Sequence, residues 1–244
     1  MPRLHVEKAR LGDDSVILSD EDHHYLTRVL RLGPGDRLTL FDGDGGEAEA
    51  EIARVGPRAS EARVLSRRRV ERPPGPELTL VQALARGEKL DLVVQKATEL
   101  GVARIIPVTT ERAVSPDLLR GTSRRQRWEK IAREAARQSG RADLPEIEPV
   151  TSFPLALAAA PREALKLLFF EGARGNHLRE ALPATPPPSA VLAVGPEGGF
   201  TEGEVARARE AGFAVVGLGP RTLRTETAAM AVLAIVGYAI GDLG

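Results

Sequence analysis

The sequence has no cysteine, and only 4% of its 244 residues are aromatic. The first absence removes disulfide scaffolds, thiolate-ligated zinc or iron–sulfur centres, and any thiol nucleophile. Net charge is missing too, since 34 Lys and Arg balance 34 Asp and Glu. No chain-wide field therefore draws the protein to nucleic acid, although a zero total can hide opposed patches. Lysine is scarce, 5 against 29 arginines; this favours planar bidentate contacts, and genome composition explains it equally well. Long apolar runs are absent. The longest, AAMAVLAIVGYAI at 228–240, is too short to span a bilayer and fits a buried helix. The start MPRLHVEKARLGDD carries no signal segment, so a soluble, cytoplasmic protein is expected. No metal set is legible: His23 and His24 are adjacent and cannot share a helix face. DGDGGEAEAE (42–51) lacks calcium-loop spacing and reads as a hairpin turn. GxSxG is absent.

What remains is globular, 42% hydrophobic and 28% charged. The clearest seam is ERPPGPE at 71–77, where prolines and a glycine interrupt regular structure. Before it, SVILS (15–19), DRLTLFD (36–42), EAEAEIARV (47–55) and EARVLS (61–66) read as short barrel-type strands, with one helix over 22–32 ended by Gly33. After it, apolar strands at 78–84, 104–110, 165–171, 190–195 and 213–219 alternate with helical stretches at 88–100, 123–139, 174–182 and 201–211. Gly101, Gly140 and Gly212 close three of these in the position that suits a left-handed residue. The alternation predicts an α/β domain with a parallel sheet covered on both faces. The expected division is 1–72 and 73–244.

Two loops follow strand ends, where parallel sheets bind ligands. GPEGGF (195–200) lies between a strand and Thr201; its glycines allow close backbone approach, and it is neither a Walker loop nor GxGxxG. LGPRTLRTETA (218–228) precedes the last helix; it carries Arg221 and Arg224 at an exposed turn, Thr225 as a candidate cap and Glu226 in the first helical turn. Charge is also clustered. Residues 54–72 carry seven Arg against two Glu, and 120–141 carry seven Arg and Lys130 against two Glu. Such runs are either solvated faces or a polyanion footprint.

GPEGGF, LGPRTLRTETA, QKATELGV (95–102), TERA (110–113), EAARQSGR (134–141) and HHYLTRVLRL together resemble the ribosomal RNA small subunit methyltransferase E family, of the SPOUT superfamily. The resemblance spans essentially the whole chain. It implies an N-terminal PUA-like β-barrel and a SPOUT domain with a deep trefoil knot. It implies a homodimer, with helix 225–240 as the natural interface. The implied activity is S-adenosylmethionine-dependent methylation of N3 of one uridine in 16S ribosomal RNA of the small subunit, with no metal and no membrane. The implied cofactor residues are Phe170, then Gly195, Pro196, Glu197, Gly198 and Gly199, then Leu218, Gly219, Leu223, Arg224, Thr225 and Ala228.

Uridine N3 is a poor nucleophile until its proton leaves and charge spreads onto the flanking oxygens. A fixed arginine stabilises that charge; Arg224 is the candidate, with Glu226 or Glu197 positioning the base or taking the proton. For Glu226 simple helix capping is an equal alternative. Arg3, Arg28 and Arg31, with Arg137 and Arg141, are the candidate RNA contacts. Two other readings stay open: a SPOUT enzyme acting at another RNA position, and a non-catalytic RNA-binding protein. A dinucleotide oxidoreductase fails on the missing GxGxxG.

Overall fold

The computed structural model describes residues 1–71, 75–113, 122–173, 175–241 and 243. The centre of the predicted seam (72–74) and Arg120 therefore lie outside the described residues. The chain forms two compact units, Met1–Arg72 with Arg133–Leu144, and Pro73–Ala132 with Pro145–Gly244.

The first unit contains β1 (Arg3–His5), α1 (Lys8–Leu11), β2 (Ser15–Ser19), α2 (Asp20–His24), β3 (Arg37–Phe41), β4 (Gly46–Val55) and β5 (Ala59–Arg69). The strands form one sheet in the order β1-β3-β4-β5-β2. Period-2 alternation sets the faces: Val16 and Leu18, Leu38 and Leu40, Ala48, Ala50 and Ile52 all enter one core. The stretch 42–46 is the turn between antiparallel β3 and β4, and the Asp42 carboxylate accepts from the amides of Asp44 and Gly46 at 2.8 Å. The predicted helix 22–32 is shorter and irregular. After α2 the chain makes a π turn over Tyr25–Val29, and Arg31 adopts φ +56, a conformation that costs a non-glycine residue energy.

The basic run at 54–72 lies mostly on β5, opposite the glutamates of β4. Arg63 meets Glu51 at 3.1 Å, and Arg68 meets Glu47 at 2.6 Å. Arg67 donates to the carbonyls of Leu11, Gly12 and Asp13. Much of that positive charge therefore builds the sheet.

The second unit contains β6 (Glu77–Ala83), α3 (Lys89–Glu99), β7 (Arg104–Thr109), α4 (Thr122–Ser139, of which 133–139 belong to the first unit), β8 (Glu146–Ile147) and β9 (Thr151–Ser152). It continues with α5 (Phe153–Ala158), β10 (Leu165–Phe169), α6 (Leu178–Ala181), β11 (Ser189–Val194), α7 (Glu202–Glu210), β12 (Ala214–Val216) and α8 (Thr225–Ile240). Every strand pairing in this sheet is parallel, in the order β12-β10-β11-β6-β7-β8, with β9 also beside β7. Alternate residues feed two cores. Leu78, Leu80, Leu167 and Leu192 pack with α3 and α8, while Val81, Ala83, Leu168 and Ala193 pack with α5 and α7. Burial on both faces is why these strands read as unbroken apolar runs.

Gly101, Gly140 and Gly212 have φ between +81 and +85 after their helices. The alternation did not reveal α5, β8 or β9, which are too short to show a period. Among the described residues no helix is long and apolar enough to cross a membrane.

Helix α7 starts with a capping box. Thr201 accepts from the Glu204 amide at 3.2 Å, and the Glu204 carboxylate accepts from the Thr201 amide at 2.9 Å. The buried Glu204 carboxylate also accepts from the Glu111 amide at 2.9 Å, tying the TERA segment to the helix. Thr201→Ala is expected to cost about 1 kcal/mol. Glu204→Ala orphans two amides and is expected to cost about 2 kcal/mol. Urea unfolding curves check both, and equal losses in the two variants contradict the assignment.

Candidate active site

A cavity of about 490 Å³ opens in the second unit. It lies beyond the carboxyl ends of three adjacent strands, β12, β10 and β11, the place where open parallel sheets take ligands. Three loops make its wall: one after Phe169, one after Val194 and one after Val216.

The middle loop is GPEGGF. It is held at almost every residue. The Gly195 carbonyl accepts from the Thr225 hydroxyl at 2.7 Å. The Gly199 amide donates to the Pro196 carbonyl at 2.9 Å, with Gly199 at φ +68, and the Gly198 carbonyl accepts from Arg112 at 2.9 Å. A Cβ on Gly195 would stand 3.2 Å from the Phe200 ring, which is buried and stacked on Phe153 at 4.8 Å. A side chain at Gly195 would press on that anchor, which glycine avoids.

Glu197 is bound outward. Its carboxylate accepts from the Arg86 amide at 3.1 Å and pairs with Lys89 at 2.8 Å. Burial works against its charge, but the Lys89 hydrogen bond and backbone amides prevail and hold the carboxyl below its ordinary value.

The loop after β12 crosses the one after β10. The Gly217 amide donates to the Asn176 carbonyl at 3.0 Å, and the Asn176 side chain donates to the Val215 carbonyl at 3.3 Å. A Cβ on Gly217 would come within 3.0 Å of the Ala173 carbonyl. The loop then runs into α8. Thr225 does not cap that helix, as the sequence suggested: it is the first helical residue, and Arg224 occupies the cap position with no side-chain cap bond. The buried Thr225 hydroxyl instead joins Gln82 to Gly195.

The cavity gathers Phe170, Gly195, Pro196, Glu197 and Gly199 with Leu218, Gly219, Leu223, Thr225 and Ala228. Gly198 and Arg224 do not line it: Gly198 faces Arg112, and Arg224 is exposed between two lining residues. Arg221, the other arginine of that loop, does line it. Glu226 follows Thr225, and its Oε2 is buried without a hydrogen-bond partner. Residues the sequence reading passed over also contribute. Glu171, Asn176 and His177 line the wall, and Lys89, Arg112 and Gln82 brace it. Only Gln82 left a signal, as a polar residue inside an apolar strand.

The candidate RNA residues are in the first unit. Arg28 and Arg31 are exposed. Arg3 is committed internally, to Glu47 at 2.6 Å, to the Arg141 carbonyl at 3.0 Å, and over the Phe41 ring at 5.1 Å. Arg137 stacks on Tyr25 at 3.8 Å and pairs with Glu134, and Arg141 pairs with Asp143 at 2.7 Å. Among the described residues no group of three or more acidic or histidine side chains forms a metal set.

These two architectures match known families. Residues 72–237 match the RNA methyltransferase domain family, and residues 18–65 match the RNA methyltransferase PUA domain family. The chain is therefore an RNA-methylating enzyme with a PUA-like domain ahead of an α/β catalytic one. Ribosomal RNA small subunit methyltransferase E of Bacillus subtilis is 34% identical over 91% of this chain and 89% of its own length. Its namesake in Mycobacterium bovis is 37% identical, over 93% and 87%. The crystal structure of the namesake from Neisseria gonorrhoeae, bound to S-adenosyl methionine, superposes with a TM-score of 0.86 at 36% identity, covering 98% of this chain and 97% of that one. The chain belongs to the ribosomal RNA small subunit methyltransferase E family.

Because its folded carboxyl titrates low, Glu197 adds stability above the ordinary carboxylate value of 4.5 and loses it as pH falls through the folded value. Glu197→Gln is expected to lower Tm at neutral pH, with a deficit that closes below that range. Melting curves from neutral to strongly acidic pH check this; a deficit that persists in acid contradicts it.

Proposed function

We propose that the chain transfers a methyl group from S-adenosylmethionine to N3 of a uridine in 16S ribosomal RNA. The observation that carries the reading is the cavity beyond three parallel strand ends, built from glycine-rich backbone and held rigid by side chains outside it. Its contents fit the cofactor. Phe170, Leu218, Leu223 and Ala228 offer apolar walls for an adenine, and the close-packed loops offer backbone groups for its edge. Glu171 suits its positive charge, and Arg221 its carboxylate. When bound, S-adenosylmethionine supplies an electrophilic methyl group.

The chain's own residues do the rest. Arg224, exposed between lining residues Leu223 and Thr225, meets the base entering the cavity and stabilises the negative charge on its oxygens. Glu226 takes or steers the N3 proton, having one buried carboxylate oxygen unspent. Glu197 serves the loop instead: a carboxyl held low by Lys89 is the poorer base. Arg28 and Arg31 contact RNA phosphates, while Arg3, Arg137 and Arg141 shape the first unit.

The same reading takes the first sheet as a PUA-like barrel and the crossing at Gly217 as part of a trefoil knot. In its support, β12 lies at the sheet edge, whereas α8 packs on α3, β6 and β11. The apolar α8 leaves Ile235 and Tyr238 exposed, Tyr238 by 73%, which suits a homodimer interface. A ribosomal substrate places the enzyme in the cytoplasm, and the domain boundary falls near 72.

Arg224→Ala is expected to lower turnover about 100-fold or more while leaving affinity for S-adenosylhomocysteine within a few-fold. Nucleoside mass mapping of 16S RNA after incubation with small subunits is expected to show 3-methyluridine; a different methylated nucleoside overturns the substrate. Replacing Arg28 and Arg31 together by Ala is expected to reduce the salt slope of RNA binding by about 1.5, two phosphate contacts' worth. An unchanged slope removes them from the interface.

A further inference from the structure

Strand β6 carries one buried polar side chain, Gln82, which is 0% exposed and does not line the cavity. An apolar residue would be the inexpensive occupant there. The Gln82 amide nitrogen donates to the Ala83 carbonyl at 3.1 Å and to the Thr225 hydroxyl at 3.0 Å, while its Oε1 has no partner. The fold therefore tolerates an unsatisfied buried acceptor in order to place two donors.

The direction of these bonds is forced. A carbonyl only accepts, so the nitrogen faces Ala83 and Thr225. The Thr225 oxygen then accepts from Gln82, and its single proton goes to the Gly195 carbonyl at 2.7 Å. That carbonyl begins the glycine-rich loop of the cavity.

We propose that Gln82 is a positioning residue for the cofactor loop: by donating to Thr225 it commits the Thr225 proton to Gly195 and fixes the loop's first peptide plane. The proposal rests on the reading of the cavity as the S-adenosylmethionine site.

Calorimetric titration with S-adenosylhomocysteine tests it, alongside Tm. Gln82→Glu puts a carboxylate where the donor was. Thr225 then turns its proton to that carboxylate, and Gly195 is left unpaired. Affinity is expected to fall about tenfold at pH 8, the loss of roughly one hydrogen bond. It is expected to recover near pH 6 as the buried carboxyl, raised by desolvation, takes up a proton and donates again. The wild type is expected to show no such recovery. Gln82→Leu removes the donor that commits the Thr225 proton to Gly195 without adding a competing acceptor, so a smaller, pH-independent loss of about threefold is expected.

A glutamine that only fills space gives another pattern. Both variants then lower Tm while binding as the wild type does at every pH, and that result overturns the proposal. Where Gln82→Glu fails to fold, Thr225→Val removes the hydroxyl through which Gln82 acts and keeps the shape: a tenfold loss that Gln82→Leu does not deepen supports the proposal, and wild-type affinity, or losses that add, overturns it. Failure of the wild type itself to bind overturns the reading of the cavity, and the proposal with it.

Discussion

One hydroxyl links the sheet, the glycine-rich loop and the last helix of the catalytic unit. Thr225 sits where the last loop becomes α8, accepts from Gln82 in the middle of the sheet, and donates to Gly195 at the start of the glycine-rich loop. A loop of Gly, Pro, Glu, Gly and Gly has little side-chain packing of its own and a large conformational entropy to lose. It stays ordered because its polar groups are tied to groups on other elements: Gly195 to Thr225, Glu197 to Lys89, Gly198 to Arg112, with Phe200 sunk in the core. Glycine backbone can then form part of the cavity wall, because its polar groups are held by other elements.

The same economy shapes the first unit. A zero net charge suggested either an indifferent surface or hidden patches, and the structure shows a local solution. The glutamates of β4 stand across from the arginines of β5, and the nearly enclosed Glu47 gathers Arg3 and Arg68. Arg28 and Arg31 are exposed in and just after the π turn that follows α2, where Arg31 takes a left-handed backbone. Within the basic run at 54–72, Arg63, Arg67 and Arg68 are engaged in building the sheet, and the proposed RNA contacts Arg28 and Arg31 lie outside it.

Much of this was legible from the chain alone. Unbroken apolar strands separated by helices, three of them closed by a glycine, require a parallel sheet buried on both faces, and the strand boundaries agree to within a few residues. The two glycine-rich loops were recognisable because ligands bind past the ends of such strands. What escaped was of two kinds. The short elements β1, α1, α5, β8 and β9 carry no periodicity to read. The bracing residues Lys89, Arg86 and Arg112 lie roughly 80 to 110 positions from the loop they hold, a pairing that no local pattern encodes.

Local chemistry, then, determined which segments are strands, where helices stop, and which loops have the backbone freedom to cradle a ligand, because those depend on side-chain period and on glycine at specific torsions. Only the tertiary structure decided what each polar group does. Thr225 turned from a helix cap into a bridge, Glu197, a candidate for the proton, ties the loop to Lys89, and Arg3, a candidate RNA contact, pairs with the buried Glu47. Each change has one reason: a hydrogen bond is committed by whichever donor or acceptor the fold brings within reach, and that is set by residues far away in the chain.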